Sequence, residues 1–238
     1  MRKISGENNP YTKKITMNPE GRRLAIPDIH GCFKTFDKLL HIIGLEKNDN
    51  LFILGDFISR GPDNAGVIRL LNKLIQQEYH IFPVTGNHEE MAMESSPSAG
   101  IFQWKRNKDL PPDLTGKNGL IIKEFKEFMK NVPYFYELED WIIVHAGFNF
   151  ALEKPFEDPF SMVWIRDFAA DEKILQGKRI VHGHNPTDFK NIIKKIEKKE
   201  QVIPLDNGCV YKNIKGLGKL LCFDLDSWEV KYQENIDF

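Results

Sequence analysis

Five short apolar runs in this chain end abruptly in Asp, His or Asn, most of them beside a glycine. LAI at 24–26 leads into Pro27-Asp28-Ile29-His30-Gly31, LFIL at 51–54 into Gly55-Asp56, and FPV at 82–84 into Thr85-Gly86-Asn87-His88-Glu89. WIIV at 141–144 gives His145-Ala146-Gly147, and RIV at 179–181 gives His182-Gly183-His184. One aspartate in such a place is an ordinary turn former or helix cap, and one buried histidine an ordinary hydrogen-bonded core residue. Yet of seven histidines, His30, His88, His145, His182 and His184 all fall at these ends, which chance placement does not explain. Imidazole, carboxylate and amide oxygen together suit Mn, Fe, Zn or Co better than calcium or a thiolate zinc site. The donors exceed the needs of one tetrahedral ion. Two ions roughly 3.5–4 Å apart, sharing a carboxylate, would use them all for in-line displacement at phosphorus.

Such donors need rigid elements behind them. Phe33, Phe36, Leu39, Leu40 and Ile43 recur at helical spacing, as do Val67, Leu70, Leu71, Leu74 and Ile75. With LAI, LFIL and YHIFPV (79–84) as strands, the order is strand, helix, strand, helix, strand, which predicts a parallel α/β sheet. In open α/β sheets the carboxyl ends of the strands form the ligand crevice, and glycines there permit sharp turns and close approach. LIIKEFKEFMKNV resumes a helical period, WIIV and KRIV (178–181) are further strands, and KLLCFDLDSWEVKY alternates like a terminal hairpin. The lysine-rich KNIIKKIEKK is expected to be a solvated face or hairpin edge. Residues 95–118, rich in Pro, Gly and polar types, are expected to form a long inserted loop bordering the substrate cleft.

The chain has 238 residues, 41% of them hydrophobic, which suits one domain over residues 23–238 behind a polar, solvated arm at 1–22. A formal charge of −1, from 33 basic and 34 acidic residues, gives no global attraction to nucleic acid or to an anionic membrane. The cysteines, Cys32, Cys209 and Cys222, are odd in number and widely spaced, against a disulfide framework. The N-terminus lacks the apolar core of a signal peptide, and a cytoplasmic location is expected.

The blocks resemble the metal-dependent phosphoprotein phosphatases, within the calcineurin-like metallophosphoesterases. Family blocks GDxHG, GDxxDRG, GNHE, HAG or HGG, and GH are matched in order by PDIHG, GDFISRG, GNHEE, HAG and HGHNP. VWIRD (163–167) and PLDNGCVY (204–211) also look like bacterial members. The resemblance implies a β-sandwich of two mixed sheets flanked by helices, with two divalent ions at the strand ends, Mn foremost and Fe, Zn or Co as alternatives. It implies Asp28 and His30 on the first ion, Asp56 as the bridge, and Asn87, His145 and His184 on the second, with His182 supporting. Arg60 and Arg166 would grip phosphate oxygens, together with Asn87, and His88 would protonate the leaving alkoxide. Two divalent ions sharing a water supply a nucleophile near neutral pH. Glu89 and Glu90 would begin a helix and favour its positive end. Trp104 and Trp164 would pack, and Tyr211 would stand beside the pocket.

Two positions depart from the pattern. Pro27 replaces the first glycine, before the ligand. Ser59 replaces the aspartate that in the family sits beside the acid histidine and holds its protonated form; a hydroxyl offers a hydrogen bond but no charge. The implied activity is hydrolysis of phosphomonoesters, foremost as a serine/threonine protein phosphatase acting on a phosphorylated protein, with a small phosphoester as the other substrate. A non-acidic residue at position 59 is also a feature of symmetrical diadenosine tetraphosphate hydrolases, the alternative within this fold. A non-catalytic metal-binding scaffold is the third reading.

Overall fold

The computed structural model describes residues 4–6, 8–94 and 110–238. Its strands are β1 (Arg23–Ile26), β2 (Asn50–Ile53), β3 (His80–Pro83), β4 (Phe135–Glu137), β5 (Trp141–Val144), β6 (Arg179–His182), β7 (Val202–Pro204), β8 (Lys219–Asp224) and β9 (Val230–Glu234). Its α-helices are α1 (Phe33–Ile43), α2 (Asn64–Gln76), α3 (Asn87–Glu94), α4 (Lys123–Lys130), α5 (Pro159–Trp164), α6 (Glu172–Leu175) and α7 (Phe189–Glu197).

Side chains alternate across a strand, and that alternation builds two stacked sheets. Leu24, Ile26, Leu51, Ile53, Leu220 and Cys222 face outward onto Phe36 and Leu39 of α1 and Val67, Ile68 and Leu71 of α2. Their neighbours Ala25, Phe52, Leu221 and Phe223 face inward and meet Tyr136, Trp141, Ile143, Val181 and Ile203 of the second sheet. On the far side Phe135, Ile142, Val144 and Ile180 pack with Phe148, Phe156 and Met162. One sheet has the order β3-β2-β1-β8-β9 and the other β4-β5-β6-β7. Each contains a parallel trio, β1 with β2 and β3, and β5 with β6 and β7. Ile26 pairs with Ile53 and Ile53 with Pro83, so the segments that follow leave the sheet at one level. The expected sandwich of two mixed sheets with flanking helices is the observed fold.

Several local expectations change. KNIIKKIEKK is no hairpin edge: it forms most of α7, with Ile192 and Ile196 buried four residues apart and Asp188 accepting from Lys190 N at the start. Its lysines mask a helical stripe that only two isoleucines reveal. The described part of the N-terminal arm packs Ile4, Tyr11, Ile15 and Met17 against the domain while Lys13, Lys14 and Glu20 stay exposed. Glu137 accepts from the backbone N–H of Ile4 and Ser5, Asn9 donates to the Phe156 carbonyl, and Thr12 bridges to Phe135. Of the 95–118 stretch, 95–109, including Trp104, lie outside the described residues. The remainder is anchored: Leu114 is in the core, and Asp113 accepts from Asn64 Nδ2 and Ala65 N. Among the described residues no helix is long and apolar enough to cross a membrane.

Candidate metal centre

Strands β1, β2 and β6 deliver their polar blocks through a backbone that ordinary residues avoid. His30 (φ 49°), Asp56 (φ 44°), Ser59 (φ 74°), Arg60 (φ 71°) and His184 (φ 67°) all adopt left-handed conformations, each costing on the order of 1 kcal/mol. Two glycines are dictated by the carboxylates. A Cβ on Gly183 would lie 2.0 Å from Asp28 Oδ1, and one on Gly86 would lie 2.2 Å from Asp56 Oδ1.

The six residues expected to bind metal converge, all of them buried. His30 Nδ1 donates to the Ile58 carbonyl at 3.1 Å, so its Nε2 lone pair faces Asp56 Oδ2 at 3.7 Å and Asp28 Oδ2 at 3.9 Å. His145 Nδ1 donates to the Leu54 carbonyl at 2.7 Å, turning its Nε2 lone pair toward Asn87 Oδ1 at 3.1 Å and Asp56 Oδ1 at 3.5 Å. His184 Nδ1 lies 3.0 Å from the same Asn87 oxygen, and its buried Nε2 has no hydrogen-bond partner among the described residues. Acceptors facing acceptors, plus an orphaned imidazole nitrogen, are what a cation would satisfy. Two groups have ligand atoms mutually within 4.8 Å: His30 with Asp56 and His88, and Asp56 with His145 and His184. Asp56 belongs to both, the place a shared carboxylate must occupy. His88, expected only as a proton donor, thus stands as close to the first group as a ligand does. Asp28 is oriented by the His184 N–H, 3.0 and 3.2 Å from its two oxygens.

Without a cation, burial sets the protonation. It raises Asp28 well above the usual carboxylate range, aided by Asp206 and Asp56, and raises Asp56 against the pull of His88 and Arg60. It lowers His30 well below the usual histidine value, His145 to about 4 and His184 to about 3. His88 is also lowered by burial, against the pull of Asp56.

The expected anion grips lie beside the cluster. Arg60 is exposed, and its Nη1 donates to Tyr211 Oη at 2.8 Å and to His30 Nε2 at 3.2 Å. Tyr211 therefore holds Arg60 in place. Arg166 is exposed and clasps Asn185: Nη1 donates to Asn185 Oδ1 at 3.1 Å, and Asn185 Nδ2 donates to the Arg166 carbonyl. Trp164 donates to Glu90 Oε2 at 3.1 Å and stands edge-on to His184, 6.5 Å between centroids. His182 is buried with Nδ1 against the Gly183 carbonyl, outside both ligand groups.

Two buried carboxylates carry more than the sequence revealed. Glu89 does sit in the first turn of α3, but it is 1% exposed and accepts from the N–H groups of Gly86, Asp56 and Ile58. It shapes the loop that carries Asp56. Asp206 accepts from Gly208 N at 2.6 Å, and burial, with Asp56 nearby, pushes it up to about 7. The LDNG turn was its only signal, and an Asp before Asn-Gly reads as turn chemistry.

Comparison with known proteins matches this geometry. A 65-residue stretch is 51% identical to the symmetrical bis(5'-nucleosyl)-tetraphosphatase of Wigglesworthia glossinidia brevipalpis, covering 27% of this chain and 23% of that protein. The Nitrosomonas europaea protein of the same name is 29% identical over 55% of this chain and 47% of its own. This chain thus spans less than half of either tetraphosphatase in these matches. Serine/threonine-protein phosphatase 1 of Salmonella typhimurium is 27% identical over 70% of this chain and 82% of its own. A solved Saccharomyces cerevisiae protein serine/threonine phosphatase shares the fold with TM-score 0.62 at 17% identity, over 92% of this chain and 82% of its own. The calcineurin-like phosphoesterase model matches residues 21–212, a span containing every strand end that feeds the cluster. This chain therefore belongs to the calcineurin-like phosphoesterase family.

Proposed function

We propose that the protein hydrolyses phosphoanhydrides of dinucleoside polyphosphates, as a symmetrical tetraphosphatase. Asp28, His30, Asp56, Asn87, His145 and His184 would hold two divalent ions, Mn foremost. When bound, such ions supply Lewis acidity and lower the pKa of nearby water. Arg60 and Arg166 would grip phosphate oxygens and stabilise the charge that develops on them. One water adds across the central P–O–P linkage of a dinucleoside tetraphosphate, that bond breaks, and two nucleoside diphosphates leave.

The observation that carries this reading is Ser59. Its N–H donates to Asn64 Oδ1 at 2.6 Å, and among the described residues its side chain makes no hydrogen bond to His88. The carboxylate nearest His88 is Asp56, at 3.9 Å, and that group is committed to the metal cluster. His88 is therefore poorly supported as an acid. A serine alkoxide needs a proton to leave, whereas a nucleoside diphosphate is already acidic and needs little help. The names of the Wigglesworthia and Nitrosomonas relatives support the same reading. A protein-phosphatase activity is the second reading, favoured by the 82% span of the Salmonella phosphatase. The test compares diadenosine tetraphosphate, a phosphoserine peptide and p-nitrophenyl phosphate with Mn supplied and with chelator. We expect the highest kcat/KM on the tetraphosphate and its loss with chelator; faster cleavage of the peptide would overturn the proposal.

A further inference from the structure

We infer that the cleft behind the Arg166–Asn185 clasp is a nucleoside subsite, an assignment that rests on the dinucleotide reading above. This open cleft has a volume of about 550 Å³, within the range of small-ligand sites. It adjoins the candidate metal centre, because Asn185 follows His184 directly and His182 precedes it by two residues. A phosphate chain held at Arg166 would place its nucleoside here.

The lining has the three chemistries a nucleotide needs. Phe168 offers an aromatic wall for a base, standing edge-on to His182 at 5.5 Å between centroids. Its ring is pinned from the HAG block, since a Cβ on Gly147 would lie 2.2 Å from Phe168 Cε1. Beside its clasp with Arg166 the Asn185 amide keeps one N–H and one oxygen lone pair, and the Thr187 hydroxyl, which donates to the Asn185 carbonyl at 2.8 Å, can still accept from a base edge. Arg166 and Lys195 bring positive charge, while the exposed Asp167 carboxylate can accept from ribose hydroxyls. Lys195 already pairs with Glu200 at 2.5 Å, but an ammonium has two further donors. An extended peptide fits less well. Strand addition would need the edge of β7, which is three residues long and ends in Pro204, a residue with no N–H.

The test titrates ADP and inorganic phosphate by calorimetry into the Mn-loaded protein, Lys195→Ala and Thr187→Trp. The first variant removes a charge and the second fills the cleft. ADP is expected to bind about tenfold more tightly than phosphate, and both variants to lose about tenfold for ADP while phosphate binding is unchanged. The KM for diadenosine tetraphosphate should rise in parallel, with kcat on p-nitrophenyl phosphate unaltered. Unchanged ADP affinity in Lys195→Ala and in folded Thr187→Trp would overturn the subsite, as would ADP binding no tighter than phosphate. A rise in KM confined to the phosphopeptide would also overturn it, assigning the cleft to peptide. The two proposals fail separately. Absent tetraphosphate hydrolysis with ADP affinity lost in the variants sinks the activity and keeps the subsite; the converse sinks the subsite alone.

Discussion

Ser59 occupies left-handed backbone (φ 74°) at the end of the loop that carries Asp56, a conformation aspartate also tolerates. Ser59→Asp should therefore fold and place a carboxylate where the family resemblance puts one beside His88. An anion there favours imidazolium, and one pKa unit raises the protonated fraction near pH 8 by about tenfold. We expect turnover of a phosphoserine peptide at pH 8 to rise by up to that factor, with hydrolysis of diadenosine tetraphosphate nearly unchanged. Steady-state kinetics on both substrates check this. An equal gain on both, or none on the peptide, would count against the role given to His88. At the same scale, the strand-end Asp, His and Asn residues were legible because their types are costly to bury without partners. Glu89 and Asp206 were not legible, since a glutamate at a helix start and an aspartate before Asn-Gly each have an ordinary explanation.

Helix α1 follows the loop that carries Asp28 and His30, so its anchoring sets where that loop lies. Its own N-cap residue, Cys32, makes no side-chain cap. The cap comes from the far end of the chain: Asp237 accepts from Lys34 N and Thr35 N, both at 2.9 Å, and from Thr35 Oγ1 at 2.6 Å. Two residues earlier, Asn235 Nδ2 donates to the Cys209 carbonyl at 2.8 Å and lies 3.3 Å from Cys32 Sγ. The C-terminal segment thus ties the first ligand loop to the loop of Asp206. Asp237→Ala should cost about 1 kcal/mol of unfolding free energy, read by urea denaturation, with Asp237→Asn recovering only part of it, because its amide keeps one acceptor oxygen where the carboxylate uses two. An unchanged midpoint would show that the cap carries no stability. Of the two readings of α7, the solvated face holds for Lys190 and Lys194 and the hairpin edge does not, because lysines dominate its sequence and its buried apolar stripe is two residues wide.

For the whole molecule, the charges gathered by the two sheets make stability depend on metal and on pH. Burial raises Asp28, Asp56 and Glu89, and Asp206 to about 7. A raised carboxyl contributes stability in its protonated form, and that contribution is lost as pH rises through its folded value. Burial lowers His145 and His182 to about 4, so their contribution is full above their unfolded value of roughly 6.5 and is lost as pH falls from there toward 4. Between pH 6.5 and 8 the raised carboxyls weaken the metal-free protein, while the remaining gain from the lowered histidines is shared by the metal-free and metal-loaded forms. Divalent ions held by Asp28 and Asp56 would keep those two carboxylates ionised and reduce the loss. The Tm gap between Mn-loaded and chelated protein should therefore widen by about 3 °C from pH 6.5 to pH 8, the shift that ~1 kcal/mol produces in a chain of this size. A gap that narrows over this range would refute the assignment of Asp28 and Asp56 to a cation site.

The sequence by itself determined β1, β2 and β3 with their parallel order, β5, β6, the terminal hairpin and the polar blocks at the strand ends, because period-two burial and strand-end turns are local and leave a direct trace in residue types; the short β4 and β7 left no such trace. Only the tertiary structure decided which of those blocks meet. It brought β5 and β6 of one sheet against β1, β2 and β3 of the other, so that Asp56 lies between two histidine groups. It also decided that Glu89 is buried, that the arm packs, and that Ser59 makes no hydrogen bond to His88 among the described residues. Those outcomes depend on which surfaces two sheets present to each other, a property of packing between distant segments that no local pattern encodes.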